Sequence, residues 1–279
     1  MRWPWHRAVH TPVQDFQSSP SFAEALAAAE REALVAPRLV DVLAQTRLAL
    51  DGITHLAGNG DTTALHHWVD ELSHAVVETI PGSLCRDGCH HCCHYPTAFF
   101  DVYPGEWEPI AHHLRTTWNP ARLEAFLERF AREHGPYLGL VRLLEYGLRG
   151  MFRFHPTARL LPLSCPFLED TRCSIYDVRP FACRAFGHFS ARIDDRDLPH
   201  VYGCKDQEQA LLPALRGPGP RIQLPDIMPL WDRLARLTGG HRHVLATWLD
   251  RTWRVPIVHR RTPWTRILGH WLRQVWFDS

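Results

Sequence analysis

The chain has 279 residues, is 45% hydrophobic and carries a formal net charge of +1. That supplies core for one large domain or two modest ones, and the near-neutral balance argues against a general nucleic-acid or polyanion binder. No stretch reaches the ~18 uninterrupted apolar residues of a membrane-spanning helix, and the opening MRWPWHRAVHTPVQDF lacks the apolar centre of a secretory leader. A cytoplasmic protein with reduced thiols is therefore expected.

In chain order, Ser21-x-x-Glu24 is a capping box that opens an alanine-rich helix. Pro37 breaks or kinks it, and a second helical stretch runs to about Ala57. Gly58-Asn59-Gly60 forms a turn, and Asp61 caps a helix with Leu65, Trp68, Val69, Leu72 and Val76 on one face. Pro81-Gly82 stops that helix, so the cysteines that follow lie on a loop or at the start of a helix. Residues 97–103 read as extended. Pro104-Gly105-Glu106 starts a helix with Trp107, Ile110 and Leu114 in phase. Asn119 caps the next, with Pro120 in its first position and Leu123, Phe126, Leu127 and Phe130 as its apolar stripe. Gly135 ends it, and Pro136 begins a further helix to about Gly150.

Residues 167–168 and 174–176 flank a polar 169–172, which predicts a small hairpin. Arg179-Pro180 leads into a short helix carrying Cys183, and Cys204 opens a polar helical stretch. Gly217-Pro218-Gly219-Pro220 reads as a linker, with helices around 229–238, 242–254 and 263–277 beyond it. The fold class expected is mostly α, with a short β hairpin and loops around the cysteines. Three consecutive regions follow: an N-terminal helical region (1–80), a cysteine-rich domain (81–212) and a C-terminal helical region (221–279).

All eight cysteines fall within residues 85–204, namely Cys85, Cys89, Cys92, Cys93, Cys165, Cys173, Cys183 and Cys204. An even count permits disulfides, but the length, the lack of an export signal and the adjacency of Cys92 and Cys93 point to metal. Thiolates suit zinc, cuprous copper and iron–sulfur clusters. Zinc sites often draw two knuckles of two ligands each. Clusters commonly take several cysteines from one short run and one from far away, and the run at 85–93 fits that pattern somewhat better. Adjacent thiols rarely aim at one metal, so from sequence alone Cys92 and Cys93 are expected to serve different metals or different irons of one cluster. His90, His91, His94 and His188 lie near the two cysteine regions, but the thiols already supply enough ligands.

Cys85-x3-Cys89-x2-Cys92 also resembles the three-cysteine cluster motif of radical S-adenosylmethionine enzymes. That resemblance implies a partial (β/α) barrel with the motif after its first strand. Here a helix precedes the motif, no βα alternation follows, and Cys93 adds a thiol where that chemistry keeps one iron open. A closer resemblance joins this run to a second block, Cys165-Pro166-Phe167-Leu168, Cys173, Ile175-Tyr176, Arg179-Pro180, Cys183-Arg184 and Phe186, with Cys204 trailing. Together they resemble the YkgJ-type cysteine-cluster family, a zinc- or iron-chelating group whose first run is CxxCxxCC. The three-residue gap after Cys85 departs from that pattern. The resemblance implies an iron–sulfur cluster, [4Fe–4S] first, or zinc, on all eight cysteines. Flagellin lysine methylases contain a similar domain, so redox chemistry or methyl transfer from S-adenosylmethionine is one reading. The other is a non-catalytic zinc-stapled structural or interaction module, or a metal sensor or chaperone.

Arg179, Arg184 and Tyr176 are the candidate cofactor-side residues. The arginines would offset thiolate charge or hold an anionic ligand, or else brace the loop, and Tyr176 and Phe186 would pack beside the site. From His241 onward seven arginines face two aspartates, and five of the 11 tryptophans occur there. The last helix, with Trp264, Ile267, Leu268, Trp271, Leu272 and Val275 on one face, reads as packed on the core or as a basic contact surface for an unknown protein partner or substrate.

Overall fold

The computed structural model describes residues 62–79, 83–85, 88–94, 100–147, 161–191, 200–216, 224–239, 241–255, 265 and 267–268. The expected helices over 21–57, the caps and turns at 58–61 and 81–82, the linker at 217–220 and most of the last helix lie outside them. Among the described residues the helices are α1 (Thr63–Thr79), α2 (His91–His94), α3 (Pro104–Thr117), α4 (Pro120–Glu133), α5 (Leu138–Gly147), α6 (Phe181–Ala185), α7 (Lys205–Arg216), α8 (Met228–Thr238) and α9 (Leu245–Trp253). The strands are β1 (Asp101–Val102), β2 (Leu168–Glu169), β3 (Arg172–Cys173), β4 (Phe189–Ala191), β5 (His200–Tyr202) and β6 (His243–Val244). They form three two-stranded antiparallel pairs, β1–β6, β2–β3 and β4–β5. The fold is mostly α, with short strand pairs.

The chain divides into two compact units, each discontinuous in sequence. Unit 1 contains His90–Arg179 and His241–Ser279 together with Met1–Val9; unit 2 contains His10–Cys89 and Pro180–Gly240.

Unit 1 is organised by helices whose starts are written into the sequence. Pro104 occupies the first turn of α3, where no backbone N–H is needed. Glu106 reaches back to the Tyr103 N–H at 3.0 Å, and Trp107, Ile110 and Leu114 are buried as expected. Asn119 caps α4 by accepting from the Arg122 N–H at 2.7 Å. Phe126 and Phe130 face the core, and Leu123 and Leu127 are partly buried against it. α4 ends at Glu133 with His134 as its C-cap, so Gly135 closes it as expected, and residues 135–137 tighten into a 3₁₀ turn closed by Tyr137 N–H to His134 C=O. α5 then starts at Leu138 rather than at Pro136.

The expected helix over 242–254 is shorter, because His243–Val244 is a strand paired with Asp101–Val102. Glu145 on α5 holds this junction. It is buried and accepts from the Val244 N–H at 3.1 Å and the Thr247 hydroxyl at 2.7 Å, with His243 Nδ1 2.8 Å away. A buried carboxylate so surrounded avoids the desolvation cost of an orphaned charge.

In unit 2, α1 buries Leu65, Val69, Leu72 and Val76 completely, while Trp68 is half-buried. Each such aliphatic side chain contributes about 1.5–3 kcal/mol. The face packs on α6, whose Phe181, Ala182 and Ala185 are buried. β4 and β5 pair in register from Phe189–Tyr202 to Ala191–His200. Ser190 also links to the segment before α8, donating its N–H to Pro225 C=O and accepting from the Ile227 N–H, both at 2.9 Å.

Candidate metal-binding site

All eight cysteines are thiols, and none is joined to another by a disulfide. The unit boundary between Cys89 and His90 cuts the first cysteine run, and the boundary between Arg179 and Pro180 cuts the second. Cys92, Cys93, Cys165 and Cys173 therefore belong to unit 1, and Cys85, Cys89, Cys183 and Cys204 to unit 2.

In unit 1, Cys92 and Cys93 ride on α2, a single turn begun by Cys93 N–H to His90 C=O at 2.9 Å. Their sulfurs are 3.9 Å apart. The Cys165 N–H donates to Cys93 C=O at 2.7 Å and ties the turn to the β2–β3 hairpin. Cys165 precedes β2 and Cys173 ends β3 opposite Leu168, so the hairpin places both at its open end. The hairpin turns through Asp170 and Thr171, with φ +44° and +73°. Positive φ at two successive central residues matches the two-residue hairpin turn whose twist suits the flanking strands. Cys93 and Cys165 lie within the apolar core of the unit, and Cys92 and Cys173 pack against it. The Cys93 thiol is pushed up by its hydrogen bond with Cys165, by burial and by the neighbouring Cys165 and Cys173, against a lowering contact with Cys92. The Cys92 thiol is raised by its hydrogen bond with Cys93 and by burial, and the Arg179 guanidinium opposes that rise. Arg179 also lies 4.0 Å over the Tyr176 ring, a cation–π contact on a half-exposed tyrosine.

Arg129 holds the hairpin from α4. Its guanidinium donates to Leu168 C=O at 3.1 Å and Pro166 C=O at 3.2 Å, and pairs with Glu169 at 3.2 Å. Arg122 adds a second bond to Glu169 at 3.0 Å. The planar fork of guanidinium allows one side chain to hold three acceptors in fixed directions.

In unit 2, Cys204 caps α7, its sulfur accepting from the Gln207 N–H at 3.4 Å. A serine hydroxyl does the same for many helices. The Cys204 thiol is raised by burial first, with Cys89 among the lesser contributors. Gln207 is fully buried. Its Nε2 donates to Gly187 C=O and Ser83 Oγ, both at 2.8 Å, and its Oε1 accepts from the Leu84 N–H at 2.7 Å. Its side-chain amide thereby joins the stretch of chain entering Cys85 to the turn after the Cys183 helix, while its backbone N–H meets the cap at Cys204. Gly187 has φ +91°, and a β-carbon there would overlap Cys85 Sγ. Only glycine satisfies both the backbone and the contact. Cys183 sits in the first turn of α6, its N–H bonded to Pro180 C=O at 2.9 Å. The next residue, Arg184, is buried and ion-paired with Asp70 of α1, which also sends Ser73 Oγ to Arg184 C=O at 3.0 Å. Arg184 thus braces the Cys183 helix, and its charge is met by a carboxylate.

Of the four candidate histidines, His90 and His94 stack edge-to-face at 5.1 Å, and His94 Nδ1 lies 3.2 Å from Ser164 Oγ. The His188 N–H bonds Ala185 C=O at 3.2 Å, and the His91 side chain lies outside what is described. Phe186 packs edge-to-face on Tyr202 at 5.4 Å, beside Trp231.

Among the described residues, no three His, Cys, Asp or Glu side chains stand in ligand geometry around one point. Cys92 and Cys93 stand in sulfur–sulfur contact, and a ligand cage would require side-chain rotation and loss of thiol protons. The donor chemistry nonetheless fits a thiophilic ion. In a tetrahedral zinc site with Zn–S near ~2.3 Å the sulfurs stand about 3.8 Å apart, which the 3.9 Å between Cys92 and Cys93 approaches. Sulfurs bound to different irons of a cubane cluster stand farther apart, since each extends outward from its own iron.

Two positions that matter here were not singled out from the sequence. Gln207 lies three residues after Cys204 and reads as part of a polar helix, and Arg129 reads as the solvent face of α4. The only sequence signal is position, Gln207 at the third residue of a helix capped by cysteine; nothing in the sequence marks Arg129 as the residue that meets the hairpin carbonyls. No family model, curated protein or solved structure matches the chain.

Proposed function

We propose that this protein binds metal through its clustered cysteines, and that the metal holds together segments distant in sequence. The observation that carries the reading is the gathering of Cys92, Cys93, Cys165 and Cys173 on one apolar core, with two sulfurs at the spacing of a tetrahedral edge. Zinc is the ion this spacing favours. An iron–sulfur centre is the second reading, favoured by the apolar surroundings of the same thiols, which exclude water and tune a redox potential. The likeness to YkgJ-type sequences agrees with either, and a cytoplasmic location accords with eight cysteines kept as thiols.

Arg179 is the residue that would offset negative charge on a loaded unit 1 site, since it already opposes the rise of the Cys92 thiol. A redox or methyl-transfer enzyme would need an open cavity beside the thiols. A groove of about 630 Å³ in unit 1 is lined by Leu123, Leu127, Ala131, Pro136, Trp253 and Val255 among others, and no cysteine lines it.

Anaerobic purification, elemental analysis and an absorption spectrum test the reading. Zinc with no visible absorption supports the staple. Iron with absorbance near ~400 nm supports the cluster. A folded chain that binds neither, and takes up neither when supplied, would overturn the proposal.

A further inference from the structure

Each of the two units contains four of the eight thiols. We infer that the chain builds two separate tetrathiolate metal centres, one in each unit: Cys92, Cys93, Cys165 and Cys173 in the first, Cys85, Cys89, Cys183 and Cys204 in the second. This rests on the metal-binding reading above and specifies its ligand sets.

Three observations lead there. Each unit receives two cysteines from the early run and two from the later region, because both boundaries fall between cysteines. Four thiolates complete one tetrahedral ion, so the division leaves no ligand short and none over. The segments within each set are also tied to one another. In the first, the Cys165 N–H to Cys93 C=O bond and the 3.9 Å sulfur pair join α2 to the hairpin, and Arg129 fixes the hairpin. In the second, Gln207 bridges the Cys85 segment, Gly187 and the Cys204 cap, and the Cys85 sulfur fills the space left by the missing side chain of Gly187.

The consequence for the early run is specific. Cys89 and Cys92, three residues apart, serve different ions, while Cys92 and Cys93, adjacent in sequence, serve the same one. Each centre closes a unit made of stretches that come from far apart in the chain. The histidines of the run are not required as ligands.

Paired substitutions test the assignment. C165S/C173S and C183S/C204S are each expected to lose half the bound metal of the wild type. Each should also expose only its own two remaining cysteines to iodoacetamide, as read by peptide mass spectrometry, while the other four stay protected. Should a variant fail to fold, stepwise chelation of the wild-type protein with pulsed alkylation gives the same information: thiols are expected to become reactive in two groups of four with the memberships named. Metal-loaded wild type whose thiols open in a different grouping, or a folded variant that loses all its metal, overturns the two-centre assignment and leaves the metal-binding reading standing. Folded wild type with no metal and eight reactive thiols overturns both.

Discussion

Gln207 shows how much a single buried amide can organise. It uses both Nε2 donors and its Oε1 acceptor on segments carrying or adjoining cysteines. Q207A strands these partners and is expected to cost about 1–3 kcal/mol, with faster alkylation of Cys85 and Cys204 than of Cys93. G187A meets both positive φ and the Cys85 sulfur, and should cost about 2 kcal/mol or more, read as a lower urea midpoint. His134 supplies a pH-dependent term. It is buried, its Nδ1 has no hydrogen-bond partner, and burial with Arg129 nearby lowers its pKa from 6.5 to about 4. The unfolded chain takes up a proton below about pH 6.5 that the folded chain refuses until about pH 4. The stability difference is therefore intact above that window, falls as pH drops through it, and levels off below it. At pH 5 the loss from this group is about 2 kcal/mol. H134L should remove it, so that urea midpoints at pH 7.5 and pH 5 lie closer together than in the wild type.

At the scale of elements, the helices were legible and the strand pairings mostly were not. The apolar spacing of α1, α3 and α4 and the cap at Asn119 are local signals, and local hydrogen bonds satisfy them. The β2–β3 hairpin was legible too, as two short flanks around a polar turn. β1–β6 joins Asp101 to Val244, and pairing that distant leaves no periodic trace in two-residue strands. β4–β5 pairs nearer neighbours, but three-residue strands are too short to display a period. Arg129 belongs to this scale, since it fixes the hairpin that presents Cys165 and Cys173. R129A should loosen it by about 1–3 kcal/mol, and R129K, which cannot fork to the same acceptors, should recover little. Faster amide exchange at Cys173 and Ser174 in both variants, with α3 unchanged, would bear this out.

For the whole molecule, the sequence made the cysteines conspicuous but left the number of metals open, as one cluster with spare thiols or one cluster plus a zinc. Contacts group the chain into two discontinuous units whose boundaries pass between cysteines. Discontinuity of that kind arises from packing, which composition along the chain does not record. If metal closes each unit, its removal should lower the thermal midpoint and restore it on readdition, because ligand binding to the folded state is folding free energy. The most direct measurement is native mass spectrometry of the intact chain before and after acid release. The account predicts a folded species heavier by two thiolate-bound ions, which disappear together with the protection of all eight cysteines. A folded species at the bare polypeptide mass, its thiols open to alkylation, would contradict it.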